Sequence, residues 1–299
     1  MNLNIIRLTA DATRVAVCVC FCDVCCCGFQ VDALCASLQD SNVLVQRSTL
    51  DLLLIVFPIH CCHLTQSDTV TVLTAAITVV LRRDMSLNRR LYAWLIGTDA
   101  NGVPVSTAAS GVLAAAETGS LERQDSEPST DYFDKHAKAL LVQAVKRSLT
   151  SCIEDHNSPL KLRPFKILMS LLDKPEIGSA ILEDIFLDVL CSIHRECTAK
   201  VWNEQCGKSN VTQKSDDSVT AVSEVIKTAN LLLGSLEPSF IWQFIGDSLE
   251  STCAPANTDQ HLPASDSVTL LELCTIVDFM LDKLSVVCNI FIIMPPAPG

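Results

Sequence analysis

Glycine is scarce in this chain, at 10 of 299 residues, and so are the dipeptides that turn one strand back on another. Asn101-Gly102 is the one Asn-Gly pair, and no alternation of apolar and polar residues flanks it. That argues against a hairpin-rich β protein, whose tight turns draw on such pairs for their positive φ angles. Basic charge is also in short supply. Against 34 Asp and Glu stand 22 Lys and Arg, a formal net charge of −12. A nucleic-acid binder needs a net or local basic surface to displace counterions, so no nucleic acid is expected as a partner.

Uninterrupted apolar runs of membrane-crossing length are missing too. Val70 to Leu81 covers about half the length such a helix needs and is rich in threonine. Between Val268 and Met294 the apolar character is strong, but Glu272, Asp278, Asp282 and Lys283 interrupt it, which suits an amphipathic core helix. The signatures of catalysis are absent as well: no Gly-x-Ser-x-Gly elbow, no phosphate-cradling Gly-x-x-x-x-Gly-Lys, no Gly-x-Gly-x-x-Gly and no His-Glu-x-x-His. The chain is therefore expected not to be an enzyme, with no catalytic residue, cofactor or metal site.

Cysteine is abundant, at 16 residues, but the chain is too long for a small disulfide scaffold. Cys61, Cys62, Cys152, Cys191, Cys197 and Cys274 mostly fall within apolar helical patterns, where a free thiol acts as a small core residue. A reducing, cytosolic setting is expected. Six of the remainder crowd into Cys18-Val-Cys-Phe-Cys-Asp-Val-Cys-Cys-Cys27. A thiolate metal cluster, a palmitoylated anchor and a signal peptide are each compatible with that run, as is a segment lying outside the folded domain. The compact His60-Cys-Cys-His63 invites a zinc reading, but four adjacent residues cannot all face one ion tetrahedrally. It reads instead as a helix end after Pro58, with Cys62 in the core and His63 at the surface.

What the chain does have is helix after helix. Leu50, Leu53, Leu54 and Phe57 follow the i, i+3, i+4, i+7 spacing up to Pro58. Thr65-Gln-Ser-Asp68 has the shape of a capping box, and Val70, Leu73, Ile77 and Leu81 continue the stripe. Ser86 is the candidate cap of a third helix bearing Leu87, Leu91, Trp94 and Leu95, and Gly97 supplies its left-handed terminus. Residues 98–130 lose all periodicity and read as a flexible surface insertion. Beyond them Phe133 to Leu149 and Leu162 to Leu172 give two more helices. Pro175 opens another, carried by Ile177, Ile181, Ile185, Val189 and Ile193. A polar loop is expected over 198–218, then helices through Val222–Leu236, through Phe240–Leu249 and from about Ser267. The expected fold is all-α, an armadillo- or HEAT-like solenoid of stacked helix pairs, since each pair alone leaves an apolar face uncovered.

Two arginine pairs stand in the hinge between the second and third of these helices, in Leu81-Arg-Arg-Asp-Met-Ser-Leu-Asn-Arg-Arg-Leu-Tyr-Ala-Trp-Leu95. Arg82 and Arg83 end a helix, where a cation complements the dipole. With Ser86 as cap, Arg89 and Arg90 fall in the first turns, where a cation opposes it by roughly 0.3–1 kcal/mol. A compensating carboxylate (Asp84, Asp51 or Asp99), a phosphoinositide headgroup or an acidic protein segment would offset that cost. All four arginines are candidate lipid or partner contacts.

This hinge resembles the signature of the Dopey family. So do Leu44-Val-Gln-Arg-Ser-Thr-Leu-Asp-Leu-Leu-Leu54, Pro164-Phe-Lys-Ile-Leu-Met-Ser-Leu-Leu-Asp-Lys-Pro-Glu-Ile177 and Ile226-Lys-Thr-Ala-Asn-Leu-Leu-Leu233 through to Phe240-Ile-Trp242. The resemblance covers about 41–284 as a Dopey-like N-terminal helical region. Residues 1–40, rich in cysteine, and the tail 285–299 depart from the pattern. The resemblance implies a part of a much larger peripheral protein at the cytosolic face of Golgi and endosome membranes. It implies a scaffold role in vesicle-mediated protein transport, with an Arf-exchange-factor-related scaffold protein and a phospholipid flippase as partners.

Overall fold

The computed structural model describes residues 4–7, 16–19, 27–99, 102, 129–151, 162–206, 215–253 and 269–284. Among them are ten helices: α1 (Cys27–Leu38), α2 (Val43–Val56), α3 (Gln66–Ala76), α4 (Met85–Ile96), α5, α6 (Arg163–Leu172), α7 (Pro175–Cys206), α8 (Ser215–Gly234), α9 (Pro238–Cys253) and α10 (Leu270–Lys283). Helix α5 is continuous but changes register, from Ser129–Tyr132 through a π-helical Phe133–Ala137 to Lys138–Ser151. The fold class is all-α, as the periodicity predicts. A short antiparallel ladder, Asn4–Arg7 with Ala16–Val19, lies in the segment that sequence sets apart. None of the described helices is long and apolar enough to cross a membrane.

Two compact units make up the chain, residues 1–148 with 170–182, and residues 149–169 with 183–299. In the first, the helical body starts at Cys27, earlier than the start at about 41 that the resemblance implies, because Val31, Leu34 and Leu38 of α1 are buried. Its helices pair two apart: α1 lies beside α3, and α2 beside α4. Both pairs run parallel. The Cys35 thiol reaches Thr71 O, and Arg82, past the end of α3, reaches Asp40 O past the end of α1. Likewise Arg47 faces Asp84 while Asp51, one turn on, meets Arg90. Successive helices therefore alternate between two layers, as in helical-repeat solenoids. Leu50, Leu53, Leu73, Ile77, Leu87, Leu91 and Leu95 fill the space between with no exposed area. Each such side chain contributes roughly 1.5–3 kcal/mol by leaving water, and this burial holds the stack together.

Helix α7 belongs to the first unit up to Leu182 and to the second beyond it. Pro175 opens that helix as expected, and Ile181, Ile185, Val189 and Ile193 are buried along one stripe. Phe186 meets Phe240 and Phe244 of α9 edge-on, with ring centroids 5.3 and 5.1 Å away, and His194 meets Phe279 of α10. Helix α7 runs on to Cys206, through residues expected as loop, because no glycine or proline stops it before Gly207. Thr269 caps α10 in a reciprocal box with Glu272.

Candidate functional site

The arginine hinge is built from helix-end geometry. After Ala76, α3 tightens into a 3-10 turn over Ile77–Arg82. Arg83 then closes the turn in the left-handed region at φ 55°, its N–H donating to Val80 O at 3.1 Å. Asp84, not Ser86, caps α4. Its Oδ1 accepts the N–H of Ser86 at 2.8 Å, that of Leu87 at 3.1 Å and the Ser86 hydroxyl at 2.6 Å. The Ser86 hydroxyl first, then the Leu87 N–H and the charge of Arg47, hold the Asp84 carboxyl below the usual aspartate range. A carboxylate two residues ahead of Ser86 outcompetes its hydroxyl because it accepts both orphan amides and carries the charge the dipole favours. Arg89 and Arg90 thus become the fifth and sixth residues of α4, past the first turn where the dipole acts.

The four arginines separate. Arg90 is committed to the fold: Nε donates to Asp51 Oδ1 at 2.6 Å and Nη1 to Ser86 O at 3.1 Å. Arg82 is exposed but leans back, donating through Nη2 to Asp40 O at 2.9 Å. Arg83 and Arg89 are exposed. Helices α2 and α4 also carry residues that sequence reasoning did not nominate. Met85 is 82 % exposed and Ile55 79 %, with Leu44 at 52 %. Arg47 is half-buried beside Asp84, and its Nε has no hydrogen-bond partner. The outer stripe Leu44, Ser48, Asp51, Ile55 follows i, i+4, i+7, i+11, so a helical projection would have found it. Tyr92 and Trp94 serve packing. Tyr92 Oη donates to Ser170 O at 3.0 Å, and buried Trp94 donates through Nε1 to Phe57 O at 2.9 Å.

A second turn, between α2 and α3, departs further from expectation. After Pro58 the 3-10 turn Ile59–Cys61 buries Ile59 rather than Cys62, which sits exposed at φ 50°. Cys61 and Cys274 are exposed too, and Cys191 is half-buried; of the cysteines assigned to the core and described, only Cys197 is buried. The ring centroid of His136 lies 5.0 Å from that of Tyr132 and 6.1 Å from that of His60. Tyr132 Oη is 3.0 Å from His60 Nδ1, and burial pushes its phenol up. Most of the Cys18–Cys27 cluster, Cys152, the bulk of 98–130 and the tail 285–299 lie outside the described residues.

Comparison with known proteins places these features in a family. The sequence model "Dopey, N-terminal" matches residues 27–100, and "DOP1 middle TPR domain" matches 132–295, more than half of the chain. The matches leave 101–131 between them and reach across most of the tail. Protein DOP1B of Mus musculus is 37% identical over 273 residues, 84% of this chain and 11% of that protein. Protein DOP1 homolog of Drosophila pseudoobscura pseudoobscura is 34% identical over 274 residues, 85% and 9% respectively. Protein DOP1 of Saccharomyces cerevisiae is 26% identical over 228 residues, 75% and 12%. The chain thus spans about a tenth of the length of these relatives. No solved structure matches. With a helical-repeat fold, the arginine hinge in place and two family models covering most of its length, the chain belongs to the Dopey (DOP1) family.

Proposed function

We propose that this chain is a non-enzymatic scaffold segment of a peripheral protein in transport between Golgi and endosomes, on the cytosolic face of those membranes. The observation that carries the reading is the outer face of α2 and α4. There Leu44 and Ile55 stand exposed on α2, and Met85 and Arg89 on α4, with Arg82 and Arg83 exposed in the turn that leads into α4, in a chain that is otherwise acidic. Protruding apolar side chains mixed with arginine are the composition of contact surfaces. Family membership supports the trafficking role and the proposed partners, an Arf-exchange-factor-related scaffold protein and a phospholipid flippase. Affinity capture from cells tests it. The chain should recover one of these partners, and Met85→Asp with Ile55→Asp should lose it. Recovery of neither partner in repeated captures overturns the proposal.

A second reading rests on the same arginines. An anionic membrane, phosphoinositide-bearing in the sharper form, is attracted by about 1 kcal/mol per basic residue near its surface. Arg83 and Arg89 are exposed for that role, whereas Arg90 already holds Asp51. Sedimentation with phosphoinositide vesicles separates the readings. The lipid reading requires binding that Arg83→Glu with Arg89→Glu abolishes and that Arg90→Glu does not selectively mimic in folded protein. Binding indifferent to the double reversal leaves the protein-scaffold reading alone.

A further inference from the structure

The turn Ile59–Cys62 brings together a nucleophile, a base and a group that orients the base, none of which the scaffold reading uses. Cys61 is solvent-exposed and its sulfur lies 3.2 Å from His60 Nε2. The other ring nitrogen, Nδ1, lies 3.0 Å from Tyr132 Oη. Tyr132 is itself fixed. Its Oη accepts the backbone N–H of His60 at 3.4 Å, and its ring packs against the Gly97 backbone, where a Cβ would come within 2.7 Å. The ring of His136 packs against that of Tyr132, with planes 47° apart, and its centroid is 6.1 Å from that of His60. When Nδ1 carries the imidazole proton and donates it to Oη, Nε2 is left as an acceptor facing the Cys61 thiol. A nucleophile within hydrogen-bond reach of a base that a third group orients is the arrangement that activates thiols. Tyr132 comes from α5, 72 residues away, so the set is a product of the fold and not of the local Cys-His sequence.

We propose that Cys61 is a reactive thiol, with His60 as its base and Tyr132 as the positioning residue, that undergoes thiol–disulfide exchange with small-molecule disulfides. The Cys61 sulfur attacks one sulfur of the disulfide as its proton passes to His60 Nε2. A new S–S bond forms, the original one breaks, and the leaving thiolate takes the proton back from His60. The product is a mixed disulfide at Cys61 and one free small thiol, with no further oxidant needed.

The chain carries its own controls, because Cys253 and Cys274 are exposed as well and no such dyad is formed at either among the described residues. The experiment treats the intact chain with a limiting amount of a dipyridyl disulfide or oxidised glutathione near neutral pH. Site-resolved peptide mass spectrometry then gives the label at each cysteine with time. Cys61 should label about tenfold or more faster than Cys253 and Cys274, a modest share of what a positioned base supplies. His60→Gln should bring it down to their rate. Tyr132→Phe keeps the ring packing and removes only Oη; it should lower the Cys61 rate severalfold with Cys253 and Cys274 unchanged. A merely structural role would instead raise labelling at several sites together. Cys61 reacting no faster than Cys253, or an unchanged rate in folded His60→Gln, overturns the proposal.

Discussion

The turns on either side of α3 are the same device carrying different chemistry. Each ends a 3-10 segment on a non-glycine residue in the left-handed region, Cys62 at φ 50° and Arg83 at φ 55°. Each such residue donates its N–H three residues back, to Ile59 O and to Val80 O. Each is followed closely by a helix cap, Thr65 in one case and Asp84 in the other. The difference lies in what packs outside. Tyr132 and His136 lie over the first turn and gather His60 and Cys61 into a cluster. The second turn holds Arg83 at the surface, with Arg89 and Met85 exposed on the first turns of α4. Backbone geometry sets where a turn is; its long-range neighbours decide whether it becomes a pocket of interacting groups or an open contact face.

The largest effect is expected from Gly97→Ala, which tests the first turn through its lid. A left-handed Cβ there is strained and meets the Tyr132 ring at 2.7 Å. The loss should be about 2 kcal/mol or more, read as a fall in the denaturant midpoint. The same variant should slow Cys61 labelling, since Tyr132 must move; a large loss of stability with labelling unchanged would break the link between lid and turn.

Next is Arg90→Ala, set against Arg89→Ala. Losing the Asp51 pair and the bond to Ser86 O should cost about 1 kcal/mol, discounted because Asp51 is 39 % exposed. Arg89→Ala should stay within about 0.5 kcal/mol, as a surface change does. Equal costs would mean that the hinge does not divide into a structural and a free arginine.

Much of this was legible in sequence. The i, i+3, i+4 stripes located α2, α3, α4 and α7, and Pro58, Gly97 and Pro175 marked ends because each has a backbone reason to sit there. Asp51 stood among three carboxylates named for Arg90, but only the parallel packing of α2 on α4 selects it. The cap was misassigned to Ser86 because a hydroxyl and a carboxylate two residues apart both fit the pattern, and the choice depends on where Arg83 turns the chain. Cys62 was assigned to the core because the α-helical period was carried past Pro58, where a 3-10 turn rotates Ile59 inward instead. The His60–Tyr132–His136 grouping was invisible, since it joins residues on both sides of the aperiodic stretch 98–130.

Arg83→Gly and Cys62→Gly probe the shared device directly. Glycine removes the left-handed strain but adds freedom to the unfolded chain, so each should fall between neutral and about 1 kcal/mol stabilising. Similar gains would show that the two turns bear similar strain. A clear loss at Cys62 alone would mean that its side chain, which lies 3.8 Å from His60 O, supports the cluster.

The smallest effect separates the two caps by pH. Asp84 has a lowered pKa, so its capping contribution is complete above the ordinary aspartate value and is lost as pH falls through the lowered one. The sign follows because protonation removes the charge that the Ser86 hydroxyl, the Leu87 N–H and Arg47 favour. Thr65 caps α3 with a hydroxyl that does not ionise. Amide exchange should therefore accelerate at Ser86 and Leu87 as the solution is acidified through that range, corrected for intrinsic rates. The Asp68 amide under Thr65 should change less, and Asp84→Asn should flatten the response at α4. Equal acid sensitivity at both helix starts would assign the loosening to the stack as a whole, because only a charged cap gives α4 a titration of its own.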